Sequence, residues 1–363
     1  VTDGILYRPT IYLTAGTATA PYENIAEVTN RGVELTLGWR DSVKDFHYSF
    51  SGNFAFNHNR VSKYKGALKE YWEEGAGGLR TFVSNLGEVS TGSSTRILEG
   101  HTINEYYMLT PYQGDASYFD DFGMVNINGG PKDGMIRTEM DMAWLQAMIA
   151  SGYTFYPMQG VGKDKIWYGD YIYADVDGDG IYGNTYDNVF TGKSSTPKFT
   201  FGFQGSFGWK GLDLQFSFAG AAGFWLYWNE TGANNTGTRI GYNLLSSVAK
   251  DHYFYDPANP LDPRTNTTSK TARLTANEGN NQQGEKSTLH LYRGDYLKLK
   301  NLTIGYTLPE KYASKVFMKG LRVYVSGENL FNITSYPGQD PEMGAGMGYV
   351  TMRQISLGAN LTF

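Results

Sequence analysis

The chain has 363 residues, a formal net charge of −5, no cysteine and 45 glycines, a length that suits one large domain or two ordinary ones. The acidic balance gives no electrostatic footprint for nucleic acid, and the missing cysteine excludes disulfides and thiolate metal sites. Charged residues are only 18% and aromatic ones reach 15%, yet no apolar run approaches the ~20 residues of a membrane helix, so any crossing of a bilayer must be made by strands. The opening "VTDGILYRP" has neither an initiator Met nor a basic-then-apolar leader, which reads as a mature portion or a fragment.

The first strand signal is "RGVELTLGWR", where Val33, Leu35, Leu37 and Trp39 alternate with Gly32, Glu34, Thr36 and Gly38. After "DSVKD", Phe46, Tyr48, Phe50, Phe54 and Phe56 alternate with His47, Ser49, Ser51 and Asn53. A long connection, 58–195, follows. Within it "MIRTEMDMAWLQAMIASG" sets Ile136, Met140, Trp144 and Met148 four apart and ends at Gly152 as a C-cap, predicting a small helix packed in a loop. Alternation resumes with Phe199, Phe201, Phe203, Phe207 and Trp209, and again, after "KG", with Leu212, Leu214, Phe216 and Phe218. The last third repeats the pattern and closes on Ile355, Leu357, Ala359, Leu361 and Phe363. Seven strands are predicted: 33–40, 46–57, 197–209, 212–226, 291–308, 320–330 and 350–363. Short joins alternate with the long connections 58–195, 229–290 and 331–349, which describes an object with two unlike ends.

Two architectures use such strands. A soluble β-sandwich, here a secreted or surface glycan-binding protein or adhesin, would put Lys and Glu opposite the apolar row. The opposite row is instead Ser, Thr, Asn, Gln and Gly, as in a barrel whose outside touches lipid and whose inside is hydrated. Trp39, Phe46 and Trp209 flank the short turns, where an aromatic girdle belongs. The sequence therefore predicts an all-β, transmembrane antiparallel β-barrel. Seven strands do not close one, so others are expected upstream of Val1 or inside 58–195. Lys298 and Lys300 share parity with Leu302 and Ile304: either they face outward toward lipopolysaccharide phosphates, or a bulge at Lys300 or Asn301 swaps the faces.

Candidate sites are few. In "DVDGDGIYGNTYD", Asp175, Asp177 and Asp179 hold positions 1, 3 and 5 of an EF-hand-like loop, with Gly180 at 6 and the Ile181 carbonyl at 7. Position 12 is Tyr186 and the nearest acid is Asp187, so an acidic surface turn competes with a metal site. In "GFWLYWNETG", parity sends Phe224, Leu226 and Trp228 outward and points Trp225 and Tyr227 into the lumen, to stack on substrate or to pack against loops. "YPGQDPE" reads as a structural loop, and "GDASYFDDFG" as a solvated one. The five histidines, His47, His58, His101, His252 and His290, show no metal spacing, and no nucleophile elbow or phosphate loop is present. An enzyme is not expected, although a barrel lipase with a Ser–His pair at its wall is a third possibility.

"NRGVELTLGW", "YADVDGDG", "STPKFTFGFQGSFGWKGLDLQFSFAG", "YLKLKNLTIGYTLPE", "LRVYVSGENLFNITSYPGQDPE" and "SLGANLTF" resemble, in that order, the C-terminal part of the SusC-like (RagA-like) TonB-dependent transporters of Bacteroidetes. The resemblance implies the end of a barrel of about 22 strands in a Gram-negative outer membrane, loops extracellular and C-terminus periplasmic. It implies import of oligosaccharides or peptides, a SusD-like lipoprotein lid, a dimer of such pairs, and contact with outer-membrane lipid and lipopolysaccharide. TonB would act through a plug segment which, like the N-terminal strands, this chain lacks; the rest of the barrel is thus itself a partner. The resemblance also favours Ca2+ as a loop staple on Asp175, Asp177, Asp179, Ile181 and Asp187.

Overall fold

The computed structural model describes the chain apart from residues 1, 8–22, 65–69, 75–79, 85–89, 93–94, 97–98, 229–244, 276–285, 317, 347 and 350. Parts of the expected connections 58–195, 229–290 and 331–349 therefore lie outside the described residues. Eight strands, β1 (Thr2–Tyr7), β2 (Glu23–Val43), β3 (Phe46–Tyr64), β4 (Phe199–Trp209), β5 (Leu212–Ala222), β6 (Tyr296–Thr307), β7 (Gly320–Thr334) and β8 (Gln354–Thr362), form one sheet in chain order. Every neighbouring pair is antiparallel. β1 was not among the seven predicted strands, and β2 begins ten residues before the alternation becomes regular. Two-residue turns join β2 to β3 and β4 to β5; in the second, Lys210 and Gly211 both have positive φ, 47° and 91°, the twist-matched hairpin geometry. All the long connections leave the opposite end of the sheet.

The register aligns the apolar rows across strands. Leu37, Gly52, Phe203, Phe218, Leu299 and Phe331 lie side by side, as do Tyr48, Phe207, Leu214, Ile304, Val325 and Leu357. Their rings touch along the wall: Phe50 stacks on Phe203 at 5.8 Å, and Phe203 meets Phe216 at 5.8 Å. No second sheet covers this face among the described residues; Phe203 is 44% exposed, Val33 65% and Leu357 83%. That rules out the sandwich. From Phe46 to Phe56 the row runs ten residue steps, about 34 Å of strand, which at a ~40° tilt spans about 26 Å of height, the thickness of a barrel's apolar band. The fold is a segment of a transmembrane antiparallel β-barrel.

The other face is polar and self-paired. Ser49 and Ser206 hydroxyls are 2.7 Å apart, and Thr303 and Ser326 hydroxyls 3.1 Å. Arg322 on β7 reaches over β6 to Asp213 on β5, donating from Nε at 3.0 Å and Nη2 at 2.6 Å. Gly305, which pairs with Asp213 and lies under the crossing guanidinium, is what permits this: a Cβ there would sit 2.5 Å from the guanidinium and 2.6 Å from the carboxylate.

The two lysines of β6 are settled by a bulge. Pairing jumps from Phe218↔Leu299 to Ser217↔Asn301 on one side and from Leu299↔Phe331 to Asn301↔Glu328 on the other. Lys300 is the extra residue, so both lysines face inward while Leu299 and Leu302 both face outward. Lys298, 3% exposed, donates to Asp340 at 2.6 Å and Glu342 at 2.9 Å, and Lys300 donates to Glu342 at 2.6 Å. Contact of these lysines with lipopolysaccharide is therefore overturned: their charge is spent on the "YPGQDPE" loop. Burial works against the Asp340 carboxylate, but hydrogen bonds from Lys298, the Glu342 amide and Thr351 outweigh it and hold its pKa below the usual carboxylate range.

Over the long-connection end lies a layer with its own core. Helix α1 (Glu139–Ala150) is capped by Thr138, whose hydroxyl accepts from the Asp141 amide at 3.1 Å while Asp141 accepts from the Thr138 amide at 2.8 Å. Its buried stripe is Asp141, Met142, Trp144, Leu145 and Met148, not the predicted row of fours: a step of four overshoots a turn by about 40°, which leaves Met140 51% exposed. Ile136 is buried but precedes the helix, and Gly152, at φ 98°, follows the Ser151 cap. The short strands Ser90–Gly92, Thr95–Arg96, Glu105–Met108 and Val189–Ser194 make a separate sheet. None of the described strands in 65–195 joins the barrel wall, so the expectation of further wall strands there fails among the described residues.

Phe203→Arg, in the middle of the outward row, should cost about 2–4 kcal/mol of barrel stability, whereas Gln204→Arg on the hydrated row should cost far less; urea titration of heat-modifiable gel migration reads both. Lys298→Met should strand the Asp340 charge and cost about 3–5 kcal/mol locally, seen as faster hydrogen exchange across 335–346. Because the folded pKa of Asp340 is depressed, this anchoring is complete above the ordinary carboxylate range and is lost as pH falls through the folded value; exchange in the same segment should accelerate only under acid.

Candidate cation site and ligand cleft

The acidic loop is tied down at both ends. Thr154–Phe155 pairs in parallel with Ile181–Tyr182, and Phe155 stacks on Tyr182 at 4.7 Å beside Trp144. Between these ties the chain turns through Gly178 and Gly180, at φ 75° and 82°, a conformation that favours glycine. Asp175 accepts from the Gly178 amide at 2.6 Å and the Gly180 amide at 3.0 Å. These turns fold successive carboxylates toward one point.

Carboxylate oxygens of Asp175, Asp177 and Asp187 lie within 4.8 Å of one another. Asp187 comes one residue later than an EF-hand count expects, and a 3-10 turn over Thr185–Asp187 delivers it. Its side chain is fully buried and accepts from the amides of Val176 at 2.7 Å, Gly183 at 2.7 Å and Asn184 at 3.0 Å. Tyr186, which occupies the nominal closing position, is exposed. Asp179 and Ile181 stand outside the convergent set: the Asn184 amide group donates to the Asp179 carboxylate at 3.0 Å and to the Ile181 carbonyl at 3.2 Å. Burial first, then repulsion from Asp179, Asp187 and Asp175, pushes the Asp177 carboxyl up to about 7. Burial and the Asp175 charge push Asp187 up to about 6, against its three amide donors. One Asp177 oxygen is buried with no hydrogen-bond partner. Three acids driven together with an orphaned oxygen match the donor chemistry of a hard divalent cation.

The aromatic stretch after β5 departs from its predicted parity. β5 ends at Ala222 and Gly223, at φ 77°, breaks the strand. Trp225–Tyr227 then pairs with Leu291–Arg293 as a separate ladder. Phe224, Leu226 and Trp228 are buried, not outward: Trp228 packs edge-on against Tyr336 at 6.1 Å and Tyr292 at 6.0 Å. Trp225 and Tyr227, on the other side, are half-buried against Tyr106, Met108 and Leu291. Lys193 covers the Trp225 ring at 4.1 Å, and the Tyr227 ring lies 6.4 Å from that of buried His290.

A different aromatic cluster opens a cleft of about 700 Å³ on the outer layer, between Lys163, Trp167, Tyr168, Lys250, Phe254 and Tyr255. Trp167 and Tyr168 meet edge to face at 5.2 Å, and Tyr168 and Tyr255 at 5.1 Å. Arg273 braces the cleft, donating to buried Asp170 at 2.9 Å and to the Lys163 and Lys165 carbonyls at 3.0 Å. Rings beside ammonium groups in a cavity of this size suit a ring-bearing polar ligand. Sequence reading missed the cleft because its residues come from two distant segments with no motif in either. Two of the histidines serve local structure: His101 meets Glu105 at 3.1 Å and stacks on Phe190 at 3.8 Å, and His252 bonds the Val248 carbonyl at 2.9 Å.

No family model matches the chain. It is 27% identical over 358 residues to TonB-dependent receptor P3 of Formosa agariphila, covering 94% of this chain and 29% of that protein. It is 24% identical over 355 residues to TonB-dependent receptor SusC of Bacteroides thetaiotaomicron, covering 94% of this chain and 27% of that one. The fold superposes on the RagAB peptide transporter with a TM-score of 0.63 at 22% identity, over 99% of this chain and 32% of that one. The chain thus spans under a third of the proteins it matches, and those relatives are receptors and transporters. Sequence and fold agree in likening this chain to a barrel segment of the SusC/RagA-like TonB-dependent receptors.

Proposed function

We propose that this chain forms part of the wall and outer layer of an outer-membrane importer that takes up oligosaccharides or peptides by a TonB-dependent mechanism. A SusD-like lipoprotein caps the barrel, a plug segment outside this chain receives the pull of TonB, and pairs of barrel and lid assemble as a dimer. The long connections face out of the cell and Phe363 faces the periplasm. The observation that carries the reading is the pairing of two rows on one sheet: an exposed hydrocarbon-compatible row about 26 Å tall backed by a hydrated row of Ser, Thr, Asn and Gln. Further support comes from β1 and β8, which among the described residues each pair on one side alone, as the edges of a sheet that other strands would close into a cylinder.

Within this reading the cleft around Trp167 and Tyr255 is a better ligand contact than Trp225 and Tyr227, which the neighbouring residues and Lys193 already cover. The acidic loop holds Ca2+ through Asp175, Asp177 and Asp187, with Asp179 shaping the turn. The ion supplies no chemistry; it neutralises crowded carboxylates and fastens the loop to the α1 layer.

Uptake of labelled oligosaccharide and peptide pools by cells carrying the intact receptor tests the function. Uptake of one pool should vanish without TonB, and Trp167→Ala should raise the half-saturating concentration about tenfold, the loss of about 1.4 kcal/mol of ring contact. Uptake that persists without TonB would sink the reading. For the cation, adding Ca2+ to the chelated intact receptor should slow hydrogen exchange across 175–187 about tenfold, with Mg2+ ineffective, and Asp177→Asn should abolish the effect. Asp177 is the informative variant because, unlike Asp187, it accepts only a single backbone amide, that of Asp179 at 3.1 Å.

A further inference from the structure

The outward row does not end with its hydrocarbon band. Beyond Val33 on β2 and Phe56 on β3 it continues without a register break through Arg31 paired with His58 and Thr29 paired with Arg60. These side chains therefore point the same way as Leu35 and Phe54, about 7 Å and about 14 Å of strand past the last large apolar residues. The inward residues at the same height, Val28, Asn59 and Val61, are buried beneath the outer layer, which fixes the opposite orientation for Arg31, His58 and Arg60. All three are exposed. Among the described residues none of them makes an ion pair or a side-chain hydrogen bond.

They line a shallow cleft of about 390 Å³ together with Thr29, Ser62 and Glu99. Among the described lining residues Glu99 is the carboxylate, and Glu27 accepts from the Ser62 hydroxyl at 3.0 Å, beside the two guanidinium groups. The short-turn end of the wall is different: there the cations Lys44 and Lys210 sit in the turns, interleaved with Asp41 and Asp45, and Lys210 approaches Asp45 at 4.0 Å. Paired arginines on the lipid side, at the level where acyl chains give way to headgroups, match a phosphate on a membrane lipid in both charge and fork geometry.

We propose that Arg31, His58 and Arg60 form a binding site for the phosphorylated glycolipid headgroups of the outer leaflet, the guanidinium groups gripping phosphate while Val33 and Phe56 lie along the acyl chains. The proposal rests on the reading that the long connections face outward. It moves the contact with lipopolysaccharide from the lysines of β6, which are engaged inside, to the rim of β2 and β3.

The test uses the intact receptor purified in detergent and compares retention of bis-phosphorylated lipid A, dephosphorylated lipid A and phosphatidylglycerol by native mass spectrometry, with inorganic phosphate as competitor. Bis-phosphorylated lipid A should be retained about tenfold better than the other two. The double variant Arg31→Gln, Arg60→Gln should lose that preference with heat-modifiable migration unchanged, and Lys44→Gln with Lys210→Gln should keep it. Equal retention of phosphatidylglycerol, or an unaltered preference in the arginine variant, would overturn the site. Competition by millimolar inorganic phosphate alone would overturn the lipid assignment and leave an anion site. An epitope placed at Asp121 and probed on intact cells tests orientation separately: no surface labelling refutes the outward reading, while labelling without lipid preference refutes only the site.

Discussion

A backbone inside hydrocarbon has no water to bond, so each amide and carbonyl must find a partner in the next strand. That constraint explains why the wall is one continuous antiparallel ladder, and why its irregularity is placed with care. The bulge at Lys300 interrupts the ladder between β6 and its neighbours, and it does so where the "YPGQDPE" loop folds inward against the wall. The same step that frees a backbone group turns two lysines toward Asp340 and Glu342. Strand irregularity and loop attachment are thus one event: the bulge makes the charge available, and the loop covers it.

The outer layer obeys a different rule, because it is wet outside and must supply its own dry interior. Trp144, Phe155, Ile172 and Tyr253 are essentially inaccessible to solvent, and polar tips are satisfied locally. Trp144 Nε1 donates to the Asn126 carbonyl at 2.8 Å, and the Tyr112 hydroxyl donates to the Gly129 carbonyl at 2.6 Å. The acidic loop belongs to this layer through Phe155 and Tyr182, so the state of its carboxylates bears on the same core that positions the cleft.

Much of the wall was legible in the sequence because period two is a geometric consequence of the pleat. The rows around Leu37, Phe203 and Leu357 needed only parity. Parity alone, however, could not say whether Lys298 faced out or whether a bulge reversed it, since both give the same string. It failed at Phe224, Leu226 and Trp228 because Gly223 ends the strand and restarts the chain in another ladder. Counting along the acidic loop put Asp187 one place late; the 3-10 turn that corrects this is a matter of backbone path, not spacing. β1, with the weakly alternating "TDGILY", and the cleft, assembled from segments some eighty residues apart, had no local signature to read.

Besides the Arg273 brace, a second cross-link ties the two loop systems together. Arg137, just before α1, donates to the Thr267 and Ser269 carbonyls at 2.9 Å and 2.8 Å, and the Tyr253 hydroxyl donates back to the Arg137 carbonyl at 2.5 Å. Insertions that leave the wall at different strands are thereby tied to one another, so a displacement of either at this point must carry the other with it or give up these bonds.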